Sequence, residues 1–146
     1  MIKLITEMSI EKDKLFNKLY DKVDIMLIHL VKCFAYKNST NDLKHWEKEI
    51  YSFLNRVPKL RTNKKWPSYK LLKSILVDII EDSVYETIDN FIKTLIHEGY
   101  PKIKEYDKKE ISNNIIEYLD WLSLELSKNG SVSLEDIENK IDNLID

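Results

Sequence analysis

The chain has 146 residues, 43% of them hydrophobic and 33% charged, with a net charge of −2 and one cysteine, Cys33. A chain of this size and balance buries a core without disulfide staples and has no global pull toward nucleic acid or a membrane surface. Gly99 and Gly130 are its two glycines, beside three prolines; so few turn residues argue against a strand-rich fold and exclude phosphate-cradling loops, dinucleotide fingerprints and nucleophile elbows.

The expected fold is therefore all-α: one helical domain over residues 1–146, a bundle of about five helices around a long central helix at residues 68–98. Ser9 caps a first helix that runs to about Tyr36, with Leu15, Leu19, Met26, Leu30 and Phe34 on its apolar stripe. The polar run KNSTND breaks it. A second helix spans about Asp42 to Val57, carries Leu43, Trp46, Ile50, Phe53 and Leu54 on one side, and stops at Pro58. Residues 59–66 form a loop.

The central helix is marked at both ends. Pro67 and Ser68 suit a helix start, whereas Gly99 and Pro101 suit a stop. Between them Leu72, Leu76, Ile79, Val84, Ile88, Ile92 and Leu95 recur at spacings of three and four, so they share a buried face. Some thirty helical residues span roughly 45 Å, against a radius of gyration of about 15 Å for a compact chain of this length; the helix either crosses the whole domain or breaks near Asp82–Ser83. Asp107 and Glu110 have capping-box spacing for a fourth helix to about Ser127, with Ile111, Ile115, Tyr118, Leu119, Leu122 and Leu126 inward. Ser133 and Asp136 repeat that spacing before a short fifth helix bearing Leu134, Ile137, Ile141 and Leu144.

Charge is segregated along the chain. From Ile50 to Val77 no acid occurs, while Arg56, Lys59, Arg61, Lys64, Lys65, Lys70 and Lys73 are all basic. From Glu110 onward the balance reverses, with Glu135, Asp136, Glu138 and Asp142 concentrated in the last helix. Asp78, Asp82, Glu86 and Asp89 line a polar side of the central helix, whose simplest role is to keep that face wet. A basic elbow with Trp66 and Tyr69 beside it could grip phosphates and stack on bases, or grip an acidic protein surface. Ordinary solvated lysines that balance acids of the same fold are the bland alternative.

Catalytic and metal-binding patterns are sparse. His29 and Cys33 lie four apart on one helical face and could give two soft ligands, but a closed zinc site needs two more. A buried thiol beside a hydrogen-bonded histidine explains the pair more simply. A di-iron bundle requires two Glu-x-x-His pairs, and the nearest approach, Asp42-Leu-Lys-His45, stands alone. No cofactor and no metal are expected.

Ile28-His29-Leu30-Val31-Lys32, then Trp46 and Ile50, then Pro58 with Leu60, resembles the central segment of a bacterial helical family of unknown function, domain-of-unknown-function family 29. His97-Glu98-Gly99-Tyr100-Pro101 is similar to the Glu-x-Gly-Leu-Pro helix end of that family. Cys33 stands where the family has tryptophan, and Pro67-Ser68 comes later than the family's Pro-Ser pair. Tyr118, Trp121, Leu134, Glu135, Ile137 and Glu138 match elements that open the family but come last here, so the order is circularly permuted. The resemblance implies a helical bundle and supplies no activity.

These readings lead first to a non-enzymatic, cytoplasmic binding protein that modulates or neutralises a protein partner, in the manner of an immunity protein, antitoxin or phage inhibitor. Its candidate contact residues are Arg56, Lys59, Arg61, Lys64, Lys65, Trp66 and Tyr69 on the elbow, and Glu135 and Glu138 on the last helix. A nucleic-acid-binding module that uses residues 56–73 is the second reading, and a helical enzyme with a site near His29 and Cys33 the third. Each is compatible with a homodimer. No apolar run reaches the roughly eighteen residues of a spanning helix, and the N-terminal segment lacks the apolar core of a signal peptide, so no membrane partner is expected.

Overall fold

The computed structural model describes residues 25–38, 40–55, 68–78 and 84–145. Among these the regular elements are all helical: α1 at residues 25–35, α2 at Thr40–Asn55, α3 at Tyr69–Lys73 with a π turn following at Ser74–Asp78, α4 at Val84–His97, α5 at Glu105–Asn129 and α6 at Leu134–Ile145. They form the expected all-α bundle. Ser9, Pro58, Pro67 and the Asp82–Ser83 break point lie outside the described residues.

The punctuation residues act as their chemistry requires. The Ser68 carbonyl accepts the Leu72 N–H at 3.0 Å, which closes the first turn of α3 where the sequence places a helix start. Beyond α4, Gly99 takes φ 106°, the Tyr100 N–H reaches back to the Leu95 carbonyl and the Gly99 N–H to that of Ile96, both at 3.0 Å. This pair of bonds is the Schellman arrangement, whose left-handed residue costs glycine nothing. At the end of α5, Gly130 is left-handed as well and donates to the Leu126 carbonyl. Ser133 and Asp136 make the reciprocal capping bonds expected of them: the Asp136 N–H donates to Ser133 Oγ at 3.0 Å, and the Ser133 N–H to Asp136 Oδ2 at 3.3 Å.

Two helix starts differ from expectation. Helix α2 begins at Thr40 rather than Asp42, so Asp42 lies in the first turn, where a carboxylate meets the positive end of the helix dipole. Helix α5 begins at Glu105, ahead of the Asp107–Glu110 pair, and Lys104 at its N-cap makes no side-chain cap. Tertiary bonds hold this first turn instead. Lys108 Nζ donates to Asp89 Oδ1 of α4 at 2.7 Å and to Glu105 Oε1 at 3.0 Å, and the Tyr85 hydroxyl donates to Glu105.

Helix α5, 25 residues and about 37 Å long, lies against α3, the π turn, α4 and α6, while α6 also packs on α2. Its buried stripe contains every inward residue that the periodicity indicates: Ile111, Ile115, Tyr118, Leu119, Leu122 and Leu126. Buried Ser112 and Ser123 share that face and return their hydroxyls to the Lys108 and Leu119 carbonyls, both at 2.8 Å, which satisfies them without a partner helix. In the π turn the i to i+5 geometry brings Val77 onto the face of Leu72, and Leu72, Leu76 and Val77 are all buried. Trp46 and Ile50 of α2 and Ile137 and Ile141 of α6 are buried, and the two helices pack together.

Candidate functional site

The basic elbow falls largely on residues that the structure does not describe: Arg56, Lys59, Arg61, Lys64, Lys65 and Trp66 lie outside. Tyr69, at the start of α3, is half-buried and donates its hydroxyl to the Asp120 carboxylate of α5. Lys73 stands 3.9 Å from the same carboxylate and 5.8 Å from the centre of the Tyr69 ring. This end of the basic run is thus tied to an acid of the same fold. The hydrogen bond to Asp120 raises the Tyr69 pKa, since the carboxylate prefers the phenol protonated.

The acidic helix is differently placed. On α6, Glu135 and Asp142 are exposed and Glu138 is half-exposed, and among the described residues none of the three forms an ion pair. Glu138 and Asp142 are one turn apart on α6, and the charges of both act on Glu47 of α2. Glu47 is 2% exposed, and its Oε2 has no hydrogen-bond partner among the described residues. Burial and the charges of Asp142 and Glu138 push its carboxyl up to about 7, with Lys44 opposing. Sequence reading overlooked Glu47, although the signal was there: it follows Leu43 by four and precedes Ile50 and Leu54 by three and seven, a position on the apolar stripe of α2.

Cys33 and Tyr118 share this buried neighbourhood. The thiol is fully buried, and burial together with Glu47 and Asp142 pushes its pKa up, so it stays protonated and weakly nucleophilic. Burial first, then Cys33 and Glu47, also raises the Tyr118 hydroxyl, which has no hydrogen-bond partner among the described residues. His29, half-buried on α1, places Nδ1 2.7 Å from the Ile25 carbonyl. Among the described residues no three His, Cys, Asp or Glu side chains are grouped to hold a metal ion. Cys33 places its thiol in the core, and His29 sets its imidazole against a carbonyl of its own helix.

A concavity lies where the Gly99–Pro101 turn meets α1 and α2. It encloses about 640 Å³ between Tyr36, Trp46, Tyr100, Asp42, Glu98 and Lys102. The Tyr36 and Tyr100 rings are 4.9 Å apart and tilted by 37°, Trp46 stands 6.4 Å from Tyr100, and the Tyr36 hydroxyl donates to the Pro101 carbonyl at 2.9 Å. Lys32 Nζ lies 5.7 Å from the Tyr100 ring centre. The turn that ends α4 is thereby stapled to α1, which gives the His97–Pro101 segment a packing role.

Among the described residues no helix is long and apolar enough to cross a membrane. Comparison with protein-family models, curated proteins and solved structures gives no match.

Proposed function

We propose that this chain is a non-enzymatic binding protein of the immunity, antitoxin or inhibitor kind, acting in the cytoplasm on a basic protein partner. The observation that carries the reading is the uncompensated acidic face of α6. Glu135, Glu138 and Asp142 form no ion pair among the described residues, and the charges of Asp142 and Glu138 add to burial in raising the carboxyl of neighbouring Glu47. A positively charged surface would relieve that repulsion, and such complementarity acts mainly on the rate of encounter and on the choice of partner. A buried, protonated Cys33 and a His29 bonded to backbone supply no activated nucleophile.

The test is an affinity pull-down from native lysate, with and without nuclease, repeated with the Glu135→Lys/Glu138→Lys variant. A basic protein that survives nuclease treatment and is lost on charge reversal is the expected result. Recovery of nucleic acid instead would transfer the function to the elbow at residues 56–73. Retention of the same protein by the reversed variant would remove α6 from the interface.

A further inference from the structure

Helix α6 packs on α2; its Ile137 and Ile141 are fully buried, and so on α2 is Glu47, 2% exposed with one oxygen unpartnered among the described residues. The charges that act on Glu47 are those of Asp142 and Glu138 of α6 and, on α2 itself, Lys44, while Glu47 in turn raises Cys33 of α1 and Tyr118 of α5. Lys44 is the one cation in this set, and its side chain is exposed. A carboxyl in this position is tolerable when neutral. Ionised, it is a buried anion with an unpartnered oxygen in the field of two further carboxylates, and a shift of the helix that carries them relieves both costs.

We propose that Glu47 is a protonation latch on α6: the neutral carboxyl lets α6 lie closed on α2, and its ionisation loosens α6 from the bundle. Because the closed state raises the affinity of Glu47 for its proton, closure is favoured at low pH, and that preference is lost as pH rises toward about 7. The latch stands on the packing of α6 and needs no partner. Its consequence for the acidic face is that Glu135 and Glu138 ride on a helix whose seating is set by pH in the neutral range.

Hydrogen exchange of the α6 amides in the full chain, corrected for the intrinsic pH dependence of exchange, tests this at pH 6 and pH 8. With Glu47 at about 7 in the closed state and an ordinary value of 4.5 in the open one, linkage gives a loss of protection of about tenfold over that interval. Glu47→Gln abolishes the loss, since glutamine keeps the shape and cannot ionise. Equal protection at both pH values, or the same loss in the Gln variant, overturns the latch. A carbon-13 NMR titration of the wild-type Glu47 carboxyl decides the case without any variant: an inflection near neutrality supports the proposal, and one in the ordinary carboxylate range ends it.

Discussion

Lys108 and Glu47 are both charged residues buried within an apolar stripe, and the bundle treats them in opposite ways. Lys108, 8% exposed, meets Asp89 at 2.7 Å and Glu105 at 3.0 Å, so its ammonium is paired as it leaves water. Those hydrogen bonds raise its pKa and lower that of Asp89, while Glu105 is lowered first by the Tyr85 hydroxyl and then by Lys108. Glu47 has an oxygen with no partner among the described residues, and beyond burial itself the charges of Asp142 and Glu138, of its own sign, raise it further. One region keeps its charge by supplying counter-ions, and the other removes it by favouring the proton. Burial favours the neutral form of both side chains; the charges within reach decide whether that preference is overcome, as for Lys108, or reinforced, as for Glu47.

The pH dependences should therefore oppose one another. Asp89 and Glu105 have lowered pKa values, so the stability they supply is present above the ordinary carboxylate range and is lost as pH falls through their depressed values. Glu47 is raised, so its contribution is present in acid and is lost as pH rises toward about 7. Breaking the paired region should have the largest effect. Asp89→Ala leaves the Lys108 ammonium with only the exposed Glu105 and should cost about 2 kcal/mol in urea unfolding at pH 7, with the acid limb of the stability profile weakened.

Glu47→Gln should do the reverse and stabilise the protein by about 1–2 kcal/mol at pH 8, with the gain shrinking toward pH 5. A thermal-shift series across that range measures both halves of the comparison. Loss of the α6 cap tests whether the helix that confronts Glu47 is marginally held: Ser133→Ala should cost about 1 kcal/mol and raise α6 exchange more than α5 exchange. The smallest effect belongs to the Tyr118 hydroxyl, which is buried without a partner among the described residues. Tyr118→Phe should be neutral or stabilising by less than about 1 kcal/mol, read from the same urea midpoints.

Both buried charges could be located from periodicity and neither could be interpreted from it. Lys108 precedes Ile111 by three and Ile115 by seven, and Glu47 occupies the corresponding kind of position in α2. A charged residue on an apolar stripe announces burial. Whether it meets Asp89 or Asp142 depends on which helix packs opposite, and no local pattern carries that. The Asp89 carboxylate illustrates the same limit: read along the sequence it belongs to a wet acidic stripe, whereas in the fold it bonds both Lys93, at 3.0 Å, and Lys108. Tyr69 is a parallel case, placed beside the basic elbow by sequence and bonded to Asp120, some fifty residues away, by packing.

By itself the sequence determined the helical class, the stripes that face inward, the Gly99 and Gly130 stops and the Ser133–Asp136 cap. Each of these depends on interactions within a few residues, so spacing and residue chemistry suffice to fix it. Tertiary structure alone decided that α5 starts at Glu105, that the Tyr36, Trp46 and Tyr100 rings meet around the turn after α4, and that Glu47 confronts the acids of α6. These depend on which faces of distant helices come together. Many pairings bury the same apolar area, and the particular one adopted sets the charge that each buried side chain can keep.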